Sequence, residues 1–425
     1  GGHRTVRAIV SVLPRFQAML WSFHSAQSVS WRLVGLSRSR AAAIARPTNR
    51  HGLALAAWQH PRLKRPQHSC CAAVGSEPRG PAPSAMTPQD CEKLRRALLD
   101  NLNRGRLPLD TPVAVDASME DSPARNRLEQ LHAEEALECS MVNLEVEKHH
   151  QGVIPLLLVK PVSDGPGSKH PAVIFLHGTE SCKEGMLSHQ VEYAKQGFVA
   201  VSMDARYHGR RVESVSKYNE AMIGAAQGSG ARPMISETVW DVLRVVDYLQ
   251  TQENVSGEQI GIWGDSLGGT QAWFAAAADT RIKAAALHIG VQGFQWAVHN
   301  EDWQGRVARI PHAFAEVRKN MKRQSIDSEI VGKTWDILEP GLMSRFDAPA
   351  SLPLLAPRPV LITNGELDPR CPLEGIREAV GEAEKMYKTL GEPQNLAWHV
   401  EMGTGHEITK AMRLSAFGWL KYHLL

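Results

Sequence analysis

The sequence predicts an α/β protein in which a mostly parallel sheet carries helices on both faces. Short apolar runs alternate along the chain with longer segments of helical spacing, as expected for parallel strands joined by crossover helices. One apolar run ends in a glycine-rich turn that leads directly into a helix-forming segment. The composition, 43% hydrophobic and 22% charged, suits a globular enzyme.

The first predicted elements precede the parallel strands. Residues 89–103 predict an amphipathic helix because their leucines recur on one helical face. Residues 116–137 are polar and favour at most a second short helix. Residues 141–146 alternate between apolar and polar, residues 149–152 form a turn and residues 153–159 are apolar, which predicts a hairpin at the antiparallel start of the sheet.

The remaining elements alternate in type. Residues 172–176, 198–203, 260–263, 284–291, 359–363 and 396–400 are short apolar runs that predict strands. Residues 238–249, 270–278 and 373–390 have helical spacing or composition, and a last helix is predicted at the carboxyl terminus. Residues 292–357 interrupt this rhythm between two strands, and we interpret them as a cap insertion over the active site.

The sequence Gly264-Asp265-Ser266-Leu267-Gly268 joins the strand at residues 260–263 to the helix that follows. A G-x-S-x-G turn between a strand and a helix is typical of a nucleophile elbow, where the serine adopts strained backbone angles. Glycines flank the serine because side chains there would collide with the neighbouring strand and helix. Ser266 is therefore the predicted nucleophile.

A serine hydroxyl needs a general base, and the base needs a group to orient it. Asp368 follows the predicted strand at residues 359–363, and His406 follows the one at residues 396–400. Both lie at carboxyl ends of strands, where open α/β sheets bind ligands. We expect His406 to be the base and Asp368 its orienting acid, with Glu366 as the competing carboxylate.

Two backbone N–H groups are expected to stabilise the oxyanion that forms during acyl transfer. Leu267 follows the nucleophile and supplies one of them. Thr179, in the loop after residues 172–176, is the candidate for the other. His177 in the same loop lines the pocket or, as the structural alternative, braces the loop by hydrogen bonds.

These motifs resemble the α/β-hydrolase superfamily, and within it the branch of dienelactone hydrolases, acetyl xylan esterases and prolyl-oligopeptidase-like enzymes. The resemblance covers residues 141–425 and specifies fold and triad better than substrate. Related enzymes often carry Asp-x-Arg-Gly-x-Gly after the fourth strand. This chain has a histidine, His208, in that segment, so His208 is a candidate for the pocket mouth, while Asp204 and Arg206 are expected to form a buried ion pair.

The cap insertion is rich in aromatic side chains. Phe294 and Trp296 are candidates to face the substrate, and the alternative is that the aromatics form the insertion's own small core. A basic cluster, Arg318 to Arg323, could attract an anionic substrate, although a solvated helix face is the simpler interpretation.

The net charge of +3 conceals an uneven distribution. Residues 1–76 contain ten Arg, one Lys and no acidic residue, so the rest of the chain has a net charge of 3 − 11 = −8. The basic pI therefore gives no support to nucleic-acid binding. An Arg-, Ser- and Ala-rich leader is typical of chloroplast or mitochondrial targeting peptides. The alternative is that residues 1–85 are upstream sequence of a cytoplasmic protein whose native start is Met86.

The sequence thus predicts a leader at residues 1–85, a helical extension at 86–140 and a hydrolase domain at 141–425. The expected activity is hydrolysis of a small-molecule ester or thioester by a serine enzyme. The six cysteines show no metal-binding spacing, and no metal, cofactor or membrane span is expected. A prolyl-oligopeptidase-like peptidase and a catalytically silent binding protein are the alternatives. Neither the natural substrate nor the oligomeric state follows from the sequence.

Overall fold

The computed structural model describes residues 86–106, 113–118, 122–162, 165, 167–212 and 216–425. The chain divides into two units, Gly1–Ser84 and Ala85–Leu425, and the described residues belong to the second. The predicted leader at residues 1–85 lies outside the described residues.

Nine strands occur among the described residues. They are β1 (Val113–Ala117), β2 (Leu137–Glu145), β3 (Val153–Pro161), β4 (His170–Leu176), β5 (Val199–Met203), β6 (Val255–Asp265), β7 (Ile282–His288), β8 (Val360–Gly365) and β9 (Leu396–Glu401). The α-helices of the same residues are α1 (Pro88–Asn103), α2 (Arg125–Glu135), α3 (Leu187–Ala194), α4 (Ser216–Ala226), α5 (Ser236–Thr251), α6 (Leu267–Ala278), α7 (Phe294–His299), α8 (Gln304–Val307), α9 (Pro311–Asn320), α10 (Ser328–Leu338), α11 (Leu342–Arg345), α12 (Ala348–Ser351), α13 (Leu373–Thr389) and α14 (Lys410–Leu424).

The strands form one sheet in the order β1-β2-β3-β5-β4-β6-β7-β8-β9. The first three pairings along this order are antiparallel, and the remaining pairings, from β5 to β9, are parallel. The parallel strands all end at the same edge of the sheet. The turns that follow β4, β6, β8 and β9 therefore meet there, which is where the sequence places its candidate residues.

Helices cover the sheet on both sides, as predicted. Trp263 of β6 contacts Tyr193 of α3, which in turn contacts Phe417 of α14. Gly261 faces the same way, because a Cβ there would lie 2.6 Å from Leu424 of α14. Since side chains alternate along a strand, the residues between them face the other layer, where α6 is buried along its whole length.

The hairpin of β2 and β3 is confirmed, but the sheet begins one strand earlier than expected. The extension at residues 86–140 contains the predicted helices, as α1 and α2, and also the edge strand β1. The strand is only five residues long, and its pairing with β2, with Val115 opposite Asn143, is what holds it in place. Its own hydrophobic pattern is too short to predict a strand.

The insertion at residues 292–357 folds into the short helices α7 to α12 around a small aromatic core. Phe294 packs edge-on against Trp335, with ring centroids 4.9 Å apart, and Trp335 packs in the same way against Phe314. The two ends of the insertion are joined by the buried Asp347. Its carboxylate accepts hydrogen bonds from the N–H groups of Phe294 (2.9 Å) and Gln295 (2.7 Å) at the entry and of Ala348 (2.8 Å) at the exit.

Within the residues that the structure describes, no helix has both the length and the apolar character that crossing a bilayer requires.

Candidate active site

Ser266 lies at the turn between β6 and α6 in a conformation that few side chains adopt. Its backbone angles are φ 54° and ψ −109°, in a sparsely populated region that costs of order 1–3 kcal/mol. The backbone is held in this turn by a hydrogen bond from the Ser266 N–H to the carbonyl of His288, at 2.9 Å. The strain places the hydroxyl at the carboxyl edge of the sheet, ahead of the first turn of α6.

The glycines around Ser266 are required by close backbone contacts. A Cβ at Gly264 would lie 2.2 Å from the carbonyl oxygen of Gly268, and a Cβ at Gly268 would lie 2.2 Å from that of Leu176. Both contacts are to backbone, which cannot move aside without displacing β4 or α6. The sequence motif is therefore explained by the steric demands of the turn.

We expect Gly264→Ala to destabilise the protein, because the added methyl has no space beside Gly268. The free energy of unfolding should fall by about 1–3 kcal/mol or more, as for overpacked cores, in a urea titration followed by circular dichroism. Gly381→Ala is the matched control. It lies in α13 with nothing within 4 Å of the added Cβ, and it should stabilise by about 0.5–1 kcal/mol. Equal effects of the two changes would contradict this explanation of the motif.

The structure brings Ser266, His406 and Asp368 into one hydrogen-bonded chain. The Oγ of Ser266 lies 2.7 Å from Nε2 of His406, and Nδ1 of His406 lies 2.8 Å from Oδ2 of Asp368. The three side chains come from the turns after β6, β9 and β8. This is the arrangement in which a histidine can accept a proton from a serine while a carboxylate fixes its tautomer.

Asp368 is buried, and its second oxygen is held by the backbone of its own loop. Oδ1 accepts hydrogen bonds from the N–H groups of Arg370 (2.8 Å) and Cys371 (3.2 Å). The competing acid, Glu366, faces away and accepts a hydrogen bond from the N–H of Gly403 at 2.9 Å. The sequence predicted Asp368 as the partner of His406, but it gave no sign of the two N–H groups that orient its carboxylate.

Burial lowers the pKa of His406 below its usual value of 6.5, and the carboxylate of Asp368 partly opposes this effect. The guanidinium groups of Arg306 and Arg370 lower it further. The imidazole is thus neutral around pH 7, in the form that can accept a proton.

The loop after β4 lies directly against the elbow. A Cβ at Gly178 would be 3.4 Å from the carbonyl oxygen of Asp265 and 3.6 Å from Cβ of Ser266. Thr179 is the next residue after Gly178, so its N–H lies close to Ser266. Among the described residues, neither the N–H of Thr179 nor that of Leu267 donates a hydrogen bond. Both predicted oxyanion donors are thus free to bind an incoming oxygen.

His177 and His208 are buried together beneath this loop, with ring centroids 5.3 Å apart. His177 uses both ring nitrogens for the backbone: Nε2 accepts from the N–H of Ala205 at 3.1 Å, so Nδ1 carries the proton and donates to the Gly178 carbonyl at 2.8 Å. This is the bracing role given above as the alternative. Burial lowers the pKa of His208 to about 4, and its Nδ1 bonds to the Arg206 carbonyl.

The structure places Phe294 and Trp296, the two aromatic candidates to face the substrate, in different surroundings: Phe294 is buried and Trp296 is partly exposed. Phe294 is enclosed in the core of the insertion because its ring packs on Trp335. Trp296 packs on α13, where Gly375 leaves room for it: a Cβ at Gly375 would lie 3.2 Å from the indole. Phe294 thus belongs to the insertion's own core, whereas Trp296 packs between the insertion and α13, and its contact with a substrate stays a prediction.

Asp204 and Arg206 are both buried in ion pairs, but not with each other as predicted. Asp204 pairs with the ammonium group of Lys183 at 3.0 Å. Arg206 forms a two-pronged pair with Asp241 on α5, at 3.0 and 2.8 Å, and a further contact with Glu147. The partners lie far away in the sequence, so a local motif could not identify them.

Donor atoms of Asp368, Cys371 and His406 lie within 4.8 Å of one another and form a candidate metal-binding group. Their chemistry fits a metal poorly. The Cys371 thiol donates a hydrogen bond to the Ile289 carbonyl (3.2 Å) and accepts one from Arg306 (3.3 Å), whereas a metal ligand must be a thiolate. Asp368 is also committed to His406 and to two backbone N–H groups. The arrangement favours proton transfer.

Arg306 is a site residue that the sequence analysis did not identify. It lies on α8 and donates to Oε1 of Gln292 (3.2 Å), to the carbonyl of Arg370 (3.2 Å) and to the sulfur of Cys371 (3.3 Å). The insertion can approach the acid loop this closely because residue 305 is a glycine. A Cβ at Gly305 would lie 2.1 Å from the carbonyl oxygen of Pro369. Arg306 thus joins the insertion to the loop that carries Asp368.

The sequence of this chain is similar to those of known hydrolases. Residues 227–416 match the prolyl oligopeptidase family. The chain is 26% identical over 332 residues to the Bacillus subtilis protein named "Putative hydrolase YtaP", covering 75% of this chain and 95% of that one. It is 24% identical over 258 residues to "Putative esterase YitV" of the same organism, covering 60% and 89%.

Solved structures show the same fold. Acetyl xylan esterase 1 from Thermoanaerobacterium superposes with a TM-score of 0.57 at 17% identity, covering 80% of this chain and 96% of that one. The acetyl xylan esterase from Paenibacillus gives a TM-score of 0.55 at 17% identity, covering 80% and 97%. At these identities the likeness establishes the architecture.

Proposed function

Because this chain is a member of the α/β-hydrolase superfamily, in its esterase and prolyl-oligopeptidase-like branch, we propose that it is a serine hydrolase of carboxylic esters. Thioesters are a close variant of the same chemistry. The observation that carries the proposal is the unbroken path from Ser266 through His406 to Asp368, at 2.7 and 2.8 Å.

The proposed reaction begins when Oγ of Ser266 attacks the ester carbonyl and His406 accepts the hydroxyl proton. Asp368 stabilises the imidazolium that forms, and the N–H groups of Leu267 and Thr179 bind the oxyanion. The tetrahedral intermediate collapses as His406 returns the proton to the departing alcohol. Water then repeats the sequence on the acyl-enzyme and releases the acid. The residues of this chain suffice for these steps.

We expect activity to fall on the acid side with an apparent pKa below 6.5. The reaction needs neutral His406, and burial favours that form, so turnover is lost only as the pH falls through the lowered pKa. The measurement is kcat/KM against pH for a neutral ester, with circular dichroism showing that the fold persists.

Asp265, beside the serine, provides the control for this pH profile. Burial raises the pKa of its carboxyl to about 7, so it titrates in a neighbouring range. The acid limb should remain in Asp265→Asn if His406 is the group observed. A limb that disappears in this variant would contradict the assignment to His406.

A peptidase is the second candidate, favoured by the match to the prolyl oligopeptidase family. A panel of 4-nitrophenyl esters of increasing acyl length, measured beside aminoacyl 4-nitroanilides, separates the two activities. We expect turnover of the esters. Cleavage of the anilides alone would overturn the esterase proposal in favour of the peptidase.

A further inference from the structure

Three arginines from two different segments converge near the catalytic groups. Arg306 and Arg309 lie on and just after α8 of the insertion, and Arg370 lies two residues after Asp368. Arg306 contacts the carbonyl of Arg370 at 3.2 Å. Burial, and then the positive charges of Arg309 and Arg306, lower the pKa of Arg370. The positive charges of Arg306 and Arg309 thus repel that of Arg370, and this repulsion destabilises the free protein.

The acids on the described residues leave this positive charge largely uncompensated. Arg309 pairs with the exposed Glu180, at 2.9 Å. Asp368 is already used by His406 and two backbone N–H groups. Within the described part of the chain, the guanidinium of Arg370 donates no hydrogen bond and Arg306 has no carboxylate within 4.0 Å. Nε of Arg309 is buried there without a partner.

The position of these arginines relative to the reaction is fixed by their neighbours. Glu180 directly follows Thr179, so Arg309 lies beside the proposed oxyanion loop. Arg370 lies beside the acid loop, close enough to His406 to lower the pKa of its imidazole. Arg309 thus lies beside the loop that carries Thr179, and Arg370 lies in the loop that carries Asp368.

We propose that the substrate is an ester that carries a carboxylate, which Arg309 and Arg370 bind while Arg306 holds their two segments together. This inference rests on the proposed function and adds a substrate class to it. Guanidinium groups suit this task because they are permanently charged and bind carboxylates through paired hydrogen bonds. The bound carboxylate would also relieve the repulsion among the three arginines.

The test compares kcat/KM for anionic and neutral esters of matched size. The adipic monoester of 4-nitrophenol is paired with 4-nitrophenyl hexanoate to place the charge on the acyl side. The second pair, 4-carboxyphenyl acetate and its methyl ester, places the charge on the alcohol side. We expect a preference for the anionic member of at least one pair by roughly tenfold or more, and a decline of that preference with added salt.

Variants then assign the preference to residues. Arg309→Gln and Arg370→Gln should each lower the anionic-to-neutral ratio by about tenfold. Glu180→Gln should raise it, because Arg309 loses its competing partner. If Arg309 and Glu180 formed only a structural clamp, the two changes would shift the ratio in the same direction, and that result would overturn the proposal. Arg318→Gln, a change on α9 within the basic cluster of the insertion, is the control and should leave the ratio unaltered.

The two proposals fail in different ways. Labelling of Ser266 by a fluorophosphonate together with turnover of neutral esters, but no preference for either anionic ester, would leave the hydrolase standing and refute the carboxylate site. Absence of both labelling and turnover would refute the two together.

Discussion

Ser266→Ala is expected to abolish labelling by a fluorophosphonate probe and to lower ester turnover by about 10⁵- to 10⁶-fold. The hydroxyl is the atom that forms the acyl-enzyme, and loss of a nucleophile in a comparable triad costs about 10⁶ in kcat. The measurements are gel fluorescence after labelling and hydrolysis of 4-nitrophenyl acetate.

The fold should survive this change, since alanine removes a single oxygen and relieves no clash. Ser325→Ala, at an exposed serine of the insertion, is the matched control and should be labelled like the unmodified protein. Retained labelling in Ser266→Ala would show that another residue reacts with the probe, and the proposed mechanism would be wrong.

Asp368→Asn is expected to reduce kcat by about 10⁴-fold while leaving the structure intact. The amide is close in size to the carboxylate, but its NH₂ group donates where His406 Nδ1 also carries a proton. The imidazole must then turn or adopt the wrong tautomer, as in the corresponding change of the Ser-His-Asp proteases. The same substitution removes the charge that stabilises the imidazolium.

Glu366→Gln is the matched control, since it removes a second carboxylate from the same loop. Glu366 accepts a hydrogen bond from the Gly403 N–H, which a glutamine oxygen can also accept, so turnover should change little. A larger loss in Glu366→Gln than in Asp368→Asn would exchange the roles of the two acids. The kcat values of both variants, measured on one ester, decide between them.

The fold and the three central side chains could be predicted from the sequence because their signals are local. A strand followed by G-x-S-x-G and a helix is contained in a few consecutive residues, and Asp368 and His406 each follow a recognisable strand. The alternation of strands and helices then brings their carboxyl ends to one edge of the sheet. Because the strands are parallel, motifs that are far apart in the sequence lie close together at this edge.

The surroundings of the site could not be predicted because they depend on contacts between distant residues. Arg306 reaches the acid loop across 64 and 65 positions of sequence, to Arg370 and Cys371. Phe294 belongs to the insertion's core because Trp335 is there to enclose it. The composition of the insertion suggested an aromatic pocket, but only the structure shows which aromatic rings are buried in the insertion's own core.

The hydrogen bonds of the Asp347 carboxylate have a consequence for how the insertion can change in evolution. One carboxylate joins the first helix of the insertion, α7, to its last, α12. The two ends of the insertion are therefore held at a fixed distance that does not depend on the residues between them. Changes in length or sequence inside the insertion would therefore not pull on β7 and β8, the strands that flank it, the second of which leads to Asp368. The residues of the insertion could in this way change during evolution while β7 and β8 keep their places in the sheet.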